Sequence, residues 1–122
     1  MIGQLLDFDN VIKTSISFYA GCSYDKTFAV KKNGIPIDWA SEGIIDIIIT
    51  ARTSKKNTDN KLTLKLSEGG IEIMTGFMIW HLTEDETTIE PMDYDCFEVS
   101  LIYAGNKKRI WWDAGMRVKR SA

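Results

Sequence analysis

The sequence predicts an all-β fold, an antiparallel β-sandwich of the immunoglobulin-like or jelly-roll-like kind. It has about eight or nine short strands and one short helix near residues 83–90. Three observations carry this. Apolar residues recur with a period of two along most of the chain. Turn-forming residues interrupt that alternation every 8–12 residues or so. A helix-start signal is clear at one place, where Thr83 is followed three positions on by Glu86, with Glu84 and Asp85 between them.

Taken in order, Ile16 and Phe18 alternate with Ser15, Ser17 and Tyr19, and Phe28 and Val30 alternate with Thr27, Ala29 and Lys31. Lys32-Asn33-Gly34 then leads to Ile35, Ile37 and Trp39, a hairpin signal because Asn-Gly accepts positive φ. Pro36 places its segment on an edge or in a connection, since it donates no ladder hydrogen bond. From Ile44 to Thr53 the run is rich in β-branched residues and both alternating faces are substantially apolar, which marks a central strand. The polar stretch 54–60 is a loop. Leu62, Leu64 and Leu66 share a face before the Glu68-Gly69-Gly70 turn, and Ile71 and Ile73 resume the alternation. Thr75-Gly76 leads into Met78, Trp80 and Leu82 on one face and Phe77, Ile79 and His81 on the other. Pro91 stops the helix that Thr83 starts. Phe97, Val99, Leu101 and Tyr103 alternate with Glu98, Ser100 and Ile102, and Ala104-Gly105-Asn106 turns the chain back into a return strand.

A chain of 122 residues is expected to form a single domain, 1–122, and to bury roughly 65–70% of its unfolded surface without metals or disulfides. No linker, repeat or low-complexity segment divides it. Cys22 and Cys96 lack the dense spacing of a disulfide scaffold and read as reduced thiols. The N-terminal decapeptide meets aspartate early and has no basic start, so no signal peptide is expected. The longest apolar run, Ile44 to Ile49, is broken by Asp46 and is too short to span a bilayer. These features point to folding in a cytosol. The formal charge of −2 gives no whole-chain attraction to nucleic acid or to anionic membrane, so neither is an expected partner.

No residue pattern argues for an enzyme. His81 is the only histidine and stands beside no nucleophile motif. One histidine and two scattered cysteines do not make zinc-ligand spacing. The acidic stretch 84–95 reads as helix capping and a solvated edge, with no calcium-loop pattern. The glycines never form a phosphate-cradling loop. No catalytic residue, metal or cofactor is therefore expected.

The feature left over is the return strand Lys107-Lys108-Arg109-Ile110-Trp111-Trp112-Asp113-Ala114-Gly115. Neighbours on a regular strand face opposite ways. If Ile110 and Trp112 face inward, Arg109 and Trp111 lie outside, as an amphipathic contact site. A slip or a bulge at Asp113 would exchange the two tryptophans. The expected interface is Trp111 or Trp112 as anchor, Lys107, Lys108 and Arg109 at its rim, and Arg117 beside them. An exposed aromatic also fits a second reading, a carbohydrate-binding module.

The succession G-I-P-I-D-W (34–39), I-I-I-T-A-R (47–52), L-T-L-K-L-S-E-G-G-I-E-I (62–73), W-H-L-T-E-D-E-T (80–87), P-M-D-Y-D-C-F-E-V (91–99) and R-I-W-W-D-A-G-M-R-V (109–118) resembles the small β-structured virion proteins of tailed bacteriophages. Among these it is similar to the N-terminal domain of phage upper baseplate proteins. The resemblance covers about positions 28–120 and rests on turn and strand patterns. Asp95-Cys96-Phe97 stands where that family prefers an aromatic followed by aspartate. The resemblance implies a non-enzymatic structural protein of the virion, assembled in the host cytoplasm. Its partners would be other virion proteins and copies of itself, in a tail, neck, baseplate or fibre-attachment assembly.

Overall fold

Period-two patterning becomes strand along most of the chain. The structure is a computed structural model and describes residues 5–120, so the two ends of the expected 1–122 domain lie outside the described residues. The strands are β1 (Leu5–Asp7), β2 (Ile16–Tyr19), β3 (Tyr24–Lys32), β4 (Ile35–Pro36), β5 (Ile44–Arg52), β6 (Leu62–Lys65), β7 (Ile71–Met74), β8 (Phe77–Leu82), β9 (Asp93–Tyr103) and β10 (Lys107–Lys119). A 3-10 turn (Leu66–Glu68) follows β6, and helix α1 (Glu84–Thr87) follows β8.

The strands make two five-stranded sheets. One runs β1-β3-β8-β7, with β4 also paired to β3; the other runs β2-β10-β9-β5-β6. Their inner faces share one core. Trp80 of the first sheet lies 5.3 Å from Trp112 and 5.8 Å from Phe97 of the second, and Phe28 lies 5.6 Å from Trp112.

Local chemistry explains most turns. At Asn33-Gly34 both central residues have positive φ, 53° and 75°, the type I′ geometry whose twist matches that of the flanking strands. Pro36 ends β4 after two residues. Thr83 Oγ1 accepts from the Glu86 amide at 3.2 Å, and Glu86 Oε1 accepts from the Thr83 amide at 2.9 Å, the reciprocal box expected of that pair. The helix lasts only to Thr87, shorter than the expected 83–90, because Thr88 already leaves helical ψ. Leu66 does not continue the strand of Leu62 and Leu64. The chain coils into the 3-10 turn there and passes to the other sheet.

The purely antiparallel expectation is corrected: both sheets are mixed. β1 pairs parallel with β3, and β2 pairs parallel with β10. The segment between β1 and β2 crosses from one sheet to the other. Parallel neighbours need no hairpin turn, so no local residue pattern announces them.

The long β9–β10 hairpin carries two bulges. In the first, Ile110 faces Ser100 and Trp112 faces Val99, so Trp111 is the extra residue on β10. In the second, Ala114 faces Phe97 and Met116 faces Tyr94, so the extra residue lies on β9, in the pair Asp95-Cys96. Each bulge turns two consecutive side chains to one side of the sheet.

Candidate interaction surfaces

The first bulge corrects the expected contact site. Trp111 and Trp112 are both 0% exposed, so neither anchors an outer surface. The sequence expectation weighed one strand register against another, whereas an inserted residue at position 111 sends both indoles inward. Trp112 enters the core between the sheets. Trp111 lies at the end of that core against Phe8 and Trp39, at 5.8 and 6.2 Å between ring centroids.

What these residues hold is the crossing segment of their own chain. Trp111 Nε1 donates to the Asp7 carbonyl at 3.1 Å, and Trp112 Nε1 donates to the Thr14 carbonyl at 2.8 Å. Arg109 donates to the Phe8 carbonyl at 2.6 Å and lies over the Phe8 ring, 5.1 Å from its centroid. The Ile12 amide donates to Trp111 O, and the Asp113 amide to Ile12 O. Asp113 also meets Lys13 at 3.2 Å and Lys55 at 3.0 Å, and these two ammonium groups hold its carboxyl below the usual range. Lys107 and Lys108 are exposed as expected, but Arg109 is half-buried against Phe8 instead of rimming an interface. Arg117 is exposed and forms a two-point pair with Asp93, at 2.7 and 3.2 Å. The guanidinium lowers the Asp93 pKa. The expected six residues therefore do not form one patch.

A surface that the sequence reading missed lies on the outer face of the β1-β3-β8-β7 sheet. Residues paired directly across strands point the same way. Leu5 pairs with Ala29, Ala29 with Phe77, and Phe77 with Met74, so these four make an unbroken apolar row across four strands. Leu5 is 59% and Met74 48% exposed, while Ala29 and Phe77 are half-buried. Ile79, two residues along β8 on the same face, extends the row. β3, β7 and β8 alternate as expected, whereas β1 is not among the expected strands. Only the cross-strand register lines their outward apolar residues up, and a single strand does not encode that register.

Along the same face the surface becomes polar at His81. Its Nδ1 lies 2.8 Å from Asp25 Oδ1 and its Nε2 lies 3.1 Å from Glu72 Oε1, which bridges β3 and β7 across β8. Hydrogen bonds to Asp25 and then Glu72 raise the His81 pKa above 6.5. Glu84 and Asp85 line the shallow depression beside the ring. Because the folded pKa lies above the unfolded one, the bridge contributes fully below the unfolded pKa. That contribution is lost as pH rises through the folded value. The group is exposed and screened, so the expected loss is on the order of 0.5 kcal/mol. Urea melts of the wild type and of His81→Gln check this: their difference should shrink as pH rises.

Among the described residues, no three His, Cys, Asp or Glu side chains are placed to hold a metal ion, and no helix is long and apolar enough to cross a membrane. Cys22 and Cys96 are free thiols. Comparison of the chain with protein-family models and with curated proteins finds no match to either.

Proposed function

We propose that this protein is a structural component of a tailed-phage virion, a tail, neck, baseplate or fibre-attachment adaptor. It acts through protein–protein contacts in a symmetric assembly with other virion proteins and with copies of itself. The fold reading that accompanies it is a β-sandwich of the immunoglobulin-like or jelly-roll-like kind. The observation that supports this function is the outer apolar row Leu5, Ala29, Phe77 and Met74. A row of this kind, bordered by charged groups such as Lys31 and Glu72, is the composition of a protein contact surface with an apolar centre and polar rim. In this reading the anchor moves from the double tryptophan to the opposite sheet, and Lys107 and Lys108 remain available for charge matching at an assembly rim.

The test is the double substitution Leu5→Glu with Met74→Glu. Both side chains are exposed, so melting temperature should stay within a few degrees of wild type. Particles purified from infected cells and analysed by mass spectrometry should lack the variant. Normal incorporation would sink the assignment of this face.

A further inference from the structure

The second bulge makes a cleft on the outer face of the other sheet. It holds about 480 Å³ and lies across β2, β10 and β9. Gly115 is its floor, opposite the extra residue of β9. An added Cβ there would sit 3.4 Å from the Tyr94 carbonyl oxygen and 3.8 Å from Ser15 Oγ, so a larger side chain would fill the space between the walls. Glycine at a bulge is a common way to let a ligand approach the backbone closely.

We infer that this cleft binds a neutral saccharide. The polar groups on its walls suit one. Ser15 and Ser17 present hydroxyls from the β2 side, and Asp95 presents a carboxylate from the β9 side. Among the described residues, none of these three side chains has a hydrogen-bond partner. Arg117 and Asp93 pair with each other at the rim and keep spare donors and acceptors. Lys119 completes the wall and lies over the exposed ring of Tyr19, 4.7 Å from its centroid. Two carboxylates and two cations cancel in formal charge, so the cleft sets up no field that selects a strongly charged ligand. What remains is a close mixture of strong acceptors, strong donors and hydroxyls that do both. A sugar ring presents the same mixture on adjacent carbons, and charge-assisted bonds to its hydroxyls are the stronger kind. The volume is within the range of small-ligand sites and admits one or two sugar rings.

This inference is independent of the assembly role, because it uses the opposite sheet. Intact protein would be screened on an array of defined neutral mono- to tetrasaccharides. Each hit would then be titrated by saturation-transfer NMR up to about 10 mM, beyond the weak end of specific binding. Binding of at least one neutral saccharide is expected, with Asp95→Asn weakening it roughly tenfold, the effect of losing one charge-assisted hydrogen bond. Gly115→Val should abolish it by filling the floor, and Leu5→Glu with Met74→Glu should leave it unchanged. Should Gly115→Val fail to fold, the exposed Asp95→Asn decides alone. No neutral saccharide bound at that limit overturns the inference, as does binding indifferent to Asp95→Asn, and a preference for anionic sugars or peptides overturns it equally.

Discussion

Replacing Trp112 with alanine removes about 3–5 kcal/mol of folding stability, the range for deleting a buried large aromatic. The side chain is 0% exposed and lies within 6 Å of Trp80, Phe28 and Phe97, at 5.3, 5.6 and 5.8 Å between centroids. It is the point where rings from both sheets converge, so the cavity left behind cannot be closed by moving one strand. The lost indole N–H also frees the Thr14 carbonyl from its clamp. Domains of this size are stable by about 5–15 kcal/mol in total, so the variant stands near the limit of folding. Urea denaturation checks it: the midpoint should fall sharply at unchanged slope. Lys107→Ala and Lys108→Ala, on the same strand but exposed, should each stay within about 0.5 kcal/mol of wild type. A wild-type midpoint for Trp112→Ala would mean the indole is not in the core.

Phe8→Ala should cost about 3 kcal/mol and act mainly on one segment. Phe8 is the wedge that seats the crossing segment: it is 3% exposed, edge-on to Trp39 at 6.1 Å and covered by Arg109 and Lys32. Without the ring, the hydrogen bonds that clamp Asp7, Phe8 and Ile12 lose the packing that excludes water from them. Hydrogen exchange should therefore speed up at the Phe8 and Ile12 amides, which bond Lys31 O and Trp111 O, while the β5–β9 amides stay protected. The emission of Trp111 should shift to the red as water reaches it. Uniformly faster exchange across both sheets would show instead that the segment is inseparable from the core.

Features written in short stretches were legible in the sequence. Asn33-Gly34 announces its turn because few residues accept two positive φ values in succession. Thr83 and Glu86 announce the helix start because each satisfies the other's amide. Ile44 to Thr53 reads as a central strand because both its faces are apolar, and β5, which covers all of it but Thr53, lies between β6 and β9. Features that depend on a partner distant in sequence were not legible. β1 is three residues long and finds its place only against β3. The bulge at Trp111 is a property of the β9–β10 pairing, so alternation along β10 gave the wrong face for that indole. The candidate surfaces were illegible for the same reason. Leu5, Ala29, Phe77 and Met74 come from four strands, and Gly115 gains meaning only opposite the extra residue of β9.

The clamp on the crossing segment also fixes an order of events in folding. The side-chain bonds from Arg109, Trp111 and Trp112 join residues 101, 104 and 98 positions apart. The β9–β10 hairpin, by contrast, closes through a three-residue loop. Loop-closure entropy favours short loops first, so the hairpin and the sheet around it form before the clamp has anything to grip. Residues 12–19 are made about a hundred positions before β10, the strand to which they bond. Until that strand appears, Phe8 and Phe18 have no finished surface to cover, and they remain the parts of the nascent chain most open to a chaperone or to the same strand of a neighbouring molecule.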